Sequence, residues 1–117
     1  MLLEFDWAPV VNGFGQGDSY GGWATVNEGG DPNSSISLSD SIARDWPSAI
    51  AQAVVVHEVG HAMSGKCPWI FTPATHEESE AWATAWAIGM GYDGPGNGES
   101  LYGRPSADLV DLSRGCR

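Results

Sequence analysis

The sequence predicts an α+β domain in which a small, twisted, mostly antiparallel sheet packs on two helices. Two observations predict it. Short strand-like runs, "LLEFDW", "YGGWATV" and "SSISLSD", occupy the N-terminal third, and two helix-like runs follow, "AVVVHEVGHAMSG" and "THEESEAWATAWAIGMG". The 117 residues fit one domain, residues 1–117, with no internal repeat or linker.

The strand assignments rest on local pattern. In "SSISLSD", Ile36 and Leu38 alternate with serines at a period of two, which is typical of a strand with one buried and one polar face. We expect this strand at an edge of the sheet. "YGGWATV" follows a glycine-rich loop, "GFGQGDSYGG", and "LLEFDW" is a weaker candidate at the start of the chain.

The first long helix is expected to begin near "DWPSAIAQA". Asp45 or Trp46 would cap it, and Pro47 would stand in the first turn, where no amide hydrogen is needed. Gly65 is the expected C-terminal boundary. Gly60, inside the helix, costs about 1 kcal/mol relative to alanine, which indicates that another backbone or side chain approaches closely at that turn.

Composition narrows the classes of function. Fifteen acidic and five basic residues give a net charge of −10, which repels phosphate backbones and anionic membrane surfaces. We therefore expect no nucleic-acid and no membrane partner, and we expect a monomer. The glycine-rich stretches lack the Gly-Lys-Ser/Thr ending of a phosphate-binding loop, so nucleotide binding is not expected either.

The two cysteines, Cys67 and Cys116, are expected to form a disulfide between the end of the first long helix and the C-terminal end of the chain. Such a bridge closes a loop of about fifty residues and stabilises by roughly 4 kcal/mol in the chain-entropy model. A disulfide favours an extracellular or envelope location. The chain shows no signal-peptide pattern, which argues the other way, so the sequence leaves the compartment open.

His57, Glu58 and His61 form a His-Glu-x-x-His motif inside the apolar run. Residues four apart on a helix lie about 5–6 Å from each other, so the two imidazoles can reach one zinc ion. Glu58 is offset by about 100°, which lets its carboxylate take a proton from a water that attacks a carbonyl. Burying these polar groups without partners would be costly, and a metal satisfies all three.

"HEVGH" with its valine-rich lead-in resembles the zincin superfamily of zinc metallopeptidases. In the metzincin type a glycine and a third histidine follow the helix, but this chain has Ser64 and Cys67 at those positions. "EAWATAWA" is similar instead to the glutamate-bearing helix of gluzincin-like domains, in particular small phage and bacterial peptidases of the ImmA/IrrE type and anthrax-lethal-factor-like domains. The resemblance implies a minimal zincin-like fold with a third ligand, a glutamate, on the second helix.

Three glutamates compete for that ligand position, Glu77, Glu78 and Glu80. Thr75 and Glu78 match a capping box, and Glu77 would stand in the first turn, where the helix dipole favours a negative charge. The resemblance assigns Glu80, with Glu78 as the alternative. The expected zinc ligands are therefore His57, His61 and Glu80.

Two features of the second helix bear on this assignment. Relatives often carry an acidic residue four positions after the ligand, where it orients a motif histidine, but this chain has Thr84. We expect Thr84 or a backbone carbonyl to substitute. Trp82 and Trp86 are expected in the core rather than in a substrate platform.

Zincins commonly use a histidine or tyrosine outside the motif to stabilise the oxyanion of the tetrahedral intermediate. His76 is our candidate for this catalytic role, and Tyr92 and Tyr102 compete for it. No feature of the sequence separates the three residues.

The resemblance implies a zinc-dependent endopeptidase acting on a peptide or protein, with Glu58 as general base. The substrate would add as a strand to an edge formed by "SISLS", in a shallow cleft beside the motif helix. The alternative is a catalytically weak or inactive zinc-binding regulatory domain, which the absence of an acidic residue at Thr84 favours.

Overall fold

Residues 3–8, 22–26 and 34–117 are described by a computed structural model. The strands are β1 (Leu3–Ala8), β2 (Gly22–Val26) and β3 (Ser34–Ser39), and the helices are α1 (Asp40–Asp45), α2 (Ala49–Lys66), α3 (His76–Gly89), α4 (Glu99–Tyr102) and α5 (Ala107–Ser113). All three strand-like runs of the sequence form strands. Most of the predicted loop "GFGQGDSYGG" lies outside the described residues.

The predicted fold class is wrong. Far more residues lie in helices than in strands, and the small sheet is mixed rather than mostly antiparallel. Its order is β1-β3-β2, with β1 parallel to β3 and β2 antiparallel to β3. The alternation of side chains reports which face of a strand is buried, but it carries no information on the direction of the neighbouring strand.

The position predicted for β3 is also wrong. Ile36 and Leu38 are buried as expected, but β3 is the central strand and is paired along both edges. A peptide therefore cannot add to β3, because its backbone groups are already used by β1 and β2. The side chains of the alternating serines, Ser35 and Ser37, lie outside the described part of the chain.

Three short helices, α1, α4 and α5, account for much of the unexpected helix content. They are too short to show a repeating apolar stripe, which is the signal that identified the two longer helices. A capping signal was present for α5, since the Ser106 hydroxyl accepts a hydrogen bond from the amide of Leu109 at 3.1 Å.

The boundaries of α2 differ from the prediction at both ends. Asp45 ends α1, and α2 begins only at Ala49, where the Ser48 hydroxyl accepts a hydrogen bond from the amide of Ala51 at 3.1 Å. The helix runs one residue beyond the predicted Gly65, to Lys66. A side-chain cap at Ser48 thus determines where the helix starts, rather than Asp45 or Trp46.

Helix α2 lies between the sheet and α3 and buries a different face against each. One cluster joins it to the sheet and α1, and a second joins it to α3 and the C-terminal segment. The buried members of the first are Ile36, Leu38, Ile42, Ala51 and Ala62, and those of the second are Met63, Cys67, Trp82, Trp86 and Cys116. The prediction that Trp82 and Trp86 belong to the core is confirmed.

The crossing of α2 and α3 is closest at Gly60, as the sequence predicted. A Cβ at Gly60 would lie 3.0 Å from the carbonyl oxygen of Ala83 and 3.2 Å from the Cβ of Trp86. The indole of Trp82 donates a hydrogen bond to the Gly60 carbonyl at 2.9 Å. Glycine is favoured here because the backbone of one helix packs directly on the other.

The predicted disulfide between Cys67 and Cys116 is present and buried. It joins the C-terminal end of α2 to the segment after α5. The indole of Trp86 donates to the carbonyl of Cys116 at 2.6 Å, so α3 is bound to the same segment. The bridge therefore holds together the elements that carry the two halves of the predicted site.

None of the helices in the described part of the chain is long and apolar enough to span a bilayer.

Replacing Gly60 with alanine tests the helix crossing. Alanine gains about 1 kcal/mol of helix propensity, but overpacking a backbone contact costs about 1–3 kcal/mol, so we expect a net loss of about 1 kcal/mol. Urea unfolding measures it. Gly94→Ala is the matched control, since a Cβ there meets nothing within 4 Å. A Gly60→Ala protein more stable than the wild type would contradict the close crossing.

Replacing both cysteines with alanine tests the disulfide. The bridge spans 49 residues, so its removal should lower the free energy of unfolding by about 4 kcal/mol in the chain-entropy model. The wild type unfolded in excess dithiothreitol should match the double variant. Equal stability of the variant and the oxidised wild type would show that the bridge contributes nothing.

Candidate metal centre

His57, His61 and Glu80 converge at the crossing of α2 and α3. Each offers one ligand atom, and these atoms lie within 4.8 Å of one another. Among the described residues, this is the one group of three or more His, Cys, Asp or Glu side chains with that arrangement. His57 and Glu80 are buried and His61 is half-buried. The three residues form a group that could hold a metal ion.

The two helices explain the convergence. His57 and His61 stand one turn apart on α2, with ring centroids 4.9 Å apart. Glu80 lies in the second turn of α3, just before the residues that touch Gly60. The close crossing brings the Glu80 carboxylate to the histidine face of α2.

The inner nitrogens of both imidazoles face the same carboxylate oxygen. Nε2 of His57 lies 2.9 Å and Nε2 of His61 lies 3.2 Å from Oε2 of Glu80. Ligands at about 2.0–2.1 Å from a tetrahedral zinc ion are separated by about 3.3–3.4 Å. The observed separations are close to that value, and the donor set of two imidazoles and a carboxylate is one that zinc accepts. These donors could together hold a metal ion.

The outer nitrogens of the imidazoles also have partners. Nδ1 of His57 donates to the backbone carbonyl of Asn97 at 2.7 Å, and Nδ1 of His61 lies 3.0 Å from the hydroxyl of Ser79. Thr84 is further away, with its hydroxyl 3.5 Å from Nδ1 of His57. The sequence left open whether Thr84 or a backbone carbonyl supports His57. The main support is the carbonyl of Asn97.

The electrostatics of the group favour a bound cation. Burial alone raises the pKa of Glu80, but hydrogen bonds from His57 and His61 outweigh it and lower the pKa to about 2. Burial lowers the pKa of His57, but the hydrogen bond to Glu80 and the carboxylates of Glu58 and Glu80 outweigh that effect and raise it. The carboxylates thus stabilise positive charge at the imidazole nitrogens.

Glu58 lies beside the group without joining it. Its side chain is buried, with the residue 7% exposed, and burial raises the pKa of its carboxyl while the neighbouring His57 and His61 partly offset the rise. The sequence predicted this flanking position from the angular offset on the helix. The Glu58 carboxyl therefore lies within electrostatic range of His57, His61 and Glu80.

The competing glutamates have other surroundings. The Thr75 hydroxyl accepts a hydrogen bond from the amide of Glu78 at 3.1 Å and caps α3, which is one half of the predicted capping box. The Glu78 carboxylate accepts from the Thr75 hydroxyl at 3.4 Å instead of from the Thr75 amide. Glu77 is exposed in the first turn. Of the three candidates, Glu80 alone belongs to the group that could hold a metal.

The structure distinguishes the three candidates for oxyanion stabilisation by their positions. Nε2 of His76 lies 4.0 Å from Oε1 of Glu80, and its side chain is 69% exposed. Tyr102, on α4, stacks on His57 with ring centroids 6.0 Å apart and is 46% exposed. The hydroxyl of Tyr92 donates instead to Gln52 at 3.3 Å. His76 and Tyr102 thus lie next to the group that could hold a metal ion, whereas Tyr92 contacts the N-terminal half of α2.

Sequence reasoning missed Asn97 and Ser79. Asn97 contacts His57 through its backbone carbonyl, so no pattern of side chains could predict this contact. Ser79 precedes Glu80, and a serine next to a ligand on a helix has no distinctive spacing.

Comparison with protein-family models, with curated proteins and with solved structures finds no match to this chain. The chain's own residues establish that His57, His61 and Glu80 could together hold a metal ion.

Proposed function

We propose that the protein is a zinc-dependent endopeptidase. The observation that carries the proposal is the convergence of His57, His61 and Glu80, together with a buried Glu58 beside them. Two imidazoles, one carboxylate and a flanking glutamate are the parts that metal-assisted hydrolysis requires.

His57, His61 and Glu80 would hold the zinc ion, which would supply a Lewis acid to activate water and polarise a carbonyl. The remaining steps belong to the chain. The Glu58 carboxylate accepts a proton from the attacking water and then donates it to the leaving amine. Glu58 is suited to this role by its position, because its buried carboxyl lies next to His57 and His61.

His76 and Tyr102 are the donors available to the developing oxyanion. Both side chains are exposed at the rim of the group, and their rings lie 6.3 Å apart in an edge-to-face arrangement. A donor at the rim hydrogen-bonds to a substrate carbonyl without occupying a ligand position. We retain His76 in this role and add Tyr102, because Tyr102 also stacks on His57.

The substrate is proposed to be an extended peptide or protein segment. β3 is paired on both sides, so a peptide strand would add to β2, whose pairing within the described residues is to β3 alone. β2 also packs against α2, which carries the histidines. Main-chain hydrogen bonds to β2 would then place a peptide carbonyl alongside α2.

The buried disulfide supports a place of action in an oxidising compartment, such as the cell envelope or the extracellular space. The sequence-based argument for an inactive regulatory domain was the absence of an acidic residue at Thr84. The carbonyl of Asn97 accepts a hydrogen bond from His57 in its place, which supports the peptidase proposal over that alternative.

Glu80→Gln tests the third ligand. An amide is a weaker donor to zinc than a carboxylate, so the affinity for zinc should fall by more than about 100-fold. Competition with a chelator of known affinity measures it. Glu78→Gln is the matched control on the same helix and should bind as the wild type does. An affinity that falls with Glu78→Gln instead would assign the ligand to Glu78.

Glu58→Gln tests peptide hydrolysis. The amide cannot accept the proton, so kcat on denatured casein should fall by about 10²–10⁴-fold while zinc affinity is kept. Glu77→Gln, on the exposed first turn of α3, should leave kcat unchanged. A wild type that binds zinc but cleaves no more than Glu58→Gln would indicate a zinc-binding domain without peptidase activity.

A further inference from the structure

The loop between α3 and α4 presses its backbone against His57. We refer to residues 94–98 as the 94–98 loop. The carbonyl of Asn97 accepts a hydrogen bond from Nδ1 of His57 at 2.7 Å. The next residue, Gly98, has φ 103°, and a Cβ there would lie 2.6 Å from Cε1 of His57. The loop therefore touches the ring through a hydrogen bond and through a surface that only glycine leaves open.

The side chain of Asn97 holds this loop in place. The residue is 1% exposed, and both ends of its amide are used. Its Nδ2 donates to the carbonyl of Tyr92 at 2.9 Å, and its Oδ1 accepts from the amide of Glu99 at 2.9 Å. These bonds fasten the loop to the residues on either side and aim the Asn97 carbonyl at His57.

The other part of the loop rests on α2 itself. Gly96 has φ 95°, and a Cβ there would lie 2.6 Å from the carbonyl of Ile50. The loop thus packs against α2 at two places, near Ile50 and at His57.

We propose that the 94–98 loop fixes the orientation and tautomer of His57, with Asn97 as the positioning residue and Gly98 as the surface that seats the ring. This inference rests on the proposed metal site. A backbone carbonyl can only accept a hydrogen bond, so it keeps the proton on Nδ1. Nε2, which hydrogen-bonds to Glu80 here, would then be the nitrogen that gives up its proton and offers a lone pair to the metal, on the side where Glu80 and His61 offer their ligand atoms.

The contribution of the loop is to organise the ligand before the metal arrives. An unsupported imidazole samples several rotamers and two neutral tautomers, and only some of these present Nε2 to the metal. Partners of this kind change metal affinity by about 10–100-fold when they are lost. Asn97 is not a metal ligand, and its effect on metal affinity comes from the orientation that it gives to His57.

A pair of glycine variants separates this role from backbone strain. Gly98→Ala and Gly91→Ala both place alanine at nearly the same left-handed φ, 103° and 100°. A Cβ at Gly91 meets nothing within 4 Å, whereas one at Gly98 meets His57. We expect both variants to lower Tm, Gly98→Ala more strongly because its Cβ would also lie 2.6 Å from the hydroxyl of Thr84, and only Gly98→Ala to lower zinc affinity, by about 10–100-fold. Equal zinc affinity of the two folded variants would overturn the proposal.

Asn97→Ala tests the positioning residue itself. The folded variant should bind zinc about 10–100-fold more weakly, and its Co²⁺ complex should show an altered d–d absorption spectrum, because His57 is reoriented. Ser113→Ala is the control for lost stability alone. The buried Ser113 hydroxyl donates to the carbonyl of Val110 at 2.6 Å and lies 3.2 Å from the carbonyl of Ala85, and neither contact involves His57, His61 or Glu80. An unchanged Co²⁺ spectrum in Asn97→Ala would contradict the role.

A measurement on the wild type keeps the test decisive if the variants do not fold. In the zinc-loaded protein, ¹H–¹⁵N correlation spectra of His57 should show a protonated Nδ1 and a metal-bound Nε2. Zinc bound through Nδ1 of His57 would overturn the proposal. Failure of the wild type to bind zinc would instead refute the proposed function.

Discussion

The site depends on the contact between the backbones of α2 and α3 at Gly60. The carbonyl of Ala83 packs directly over that glycine, and the indole of Trp82 donates to the Gly60 carbonyl. These contacts fix the separation of the helices. Glu80 precedes them on α3, and His57 and His61 lie on either side of Gly60 on α2, so the ligand atoms of the two helices meet at the same level.

Burial of α2 on both sides gives the group its electrostatic character. The sheet covers one face and α3 with the C-terminal segment covers another, and the disulfide closes the second cluster. In such a setting charges are weakly solvated, so interactions between neighbouring groups are strong. Burial raises the pKa of both glutamates, and the neighbouring histidines lower it. The hydrogen bonds from the histidines outweigh burial for Glu80, whose pKa is low, and burial outweighs the histidines for Glu58, whose pKa is raised.

The partners of the outer imidazole nitrogens are uncharged. His57 donates to a backbone carbonyl, and Nδ1 of His61 lies at hydrogen-bonding distance from the hydroxyl of Ser79. A carboxylate partner would make the imidazole more basic, whereas these partners orient the ring with little change in its charge. Glu80 therefore supplies the single negative charge of the ligand group, and Glu58 adds a second next to it.

The sequence by itself determined the local features of this protein. The period-two alternation located β3, the spacing of four placed His57 and His61 on one face of a helix, and the glycine inside α2 indicated a close approach. Each of these depends on neighbours within a few residues, and local geometry is the same in most folds. The choice of Glu80 came from the resemblance of the second helix to those of zincins, because the spacing of Glu77, Glu78 and Glu80 does not distinguish them.

Tertiary structure decided the rest. Strand direction, the central position of β3 and the short helices depend on pairing and packing between distant segments, which no local period encodes. The carbonyl of Asn97 reaches His57 across 40 positions of the chain, and any residue with a carbonyl there offers the same atom. The side chains in the motif predicted the two histidine ligands, but the Asn97 carbonyl reaches His57 only because the fold brings the loop there.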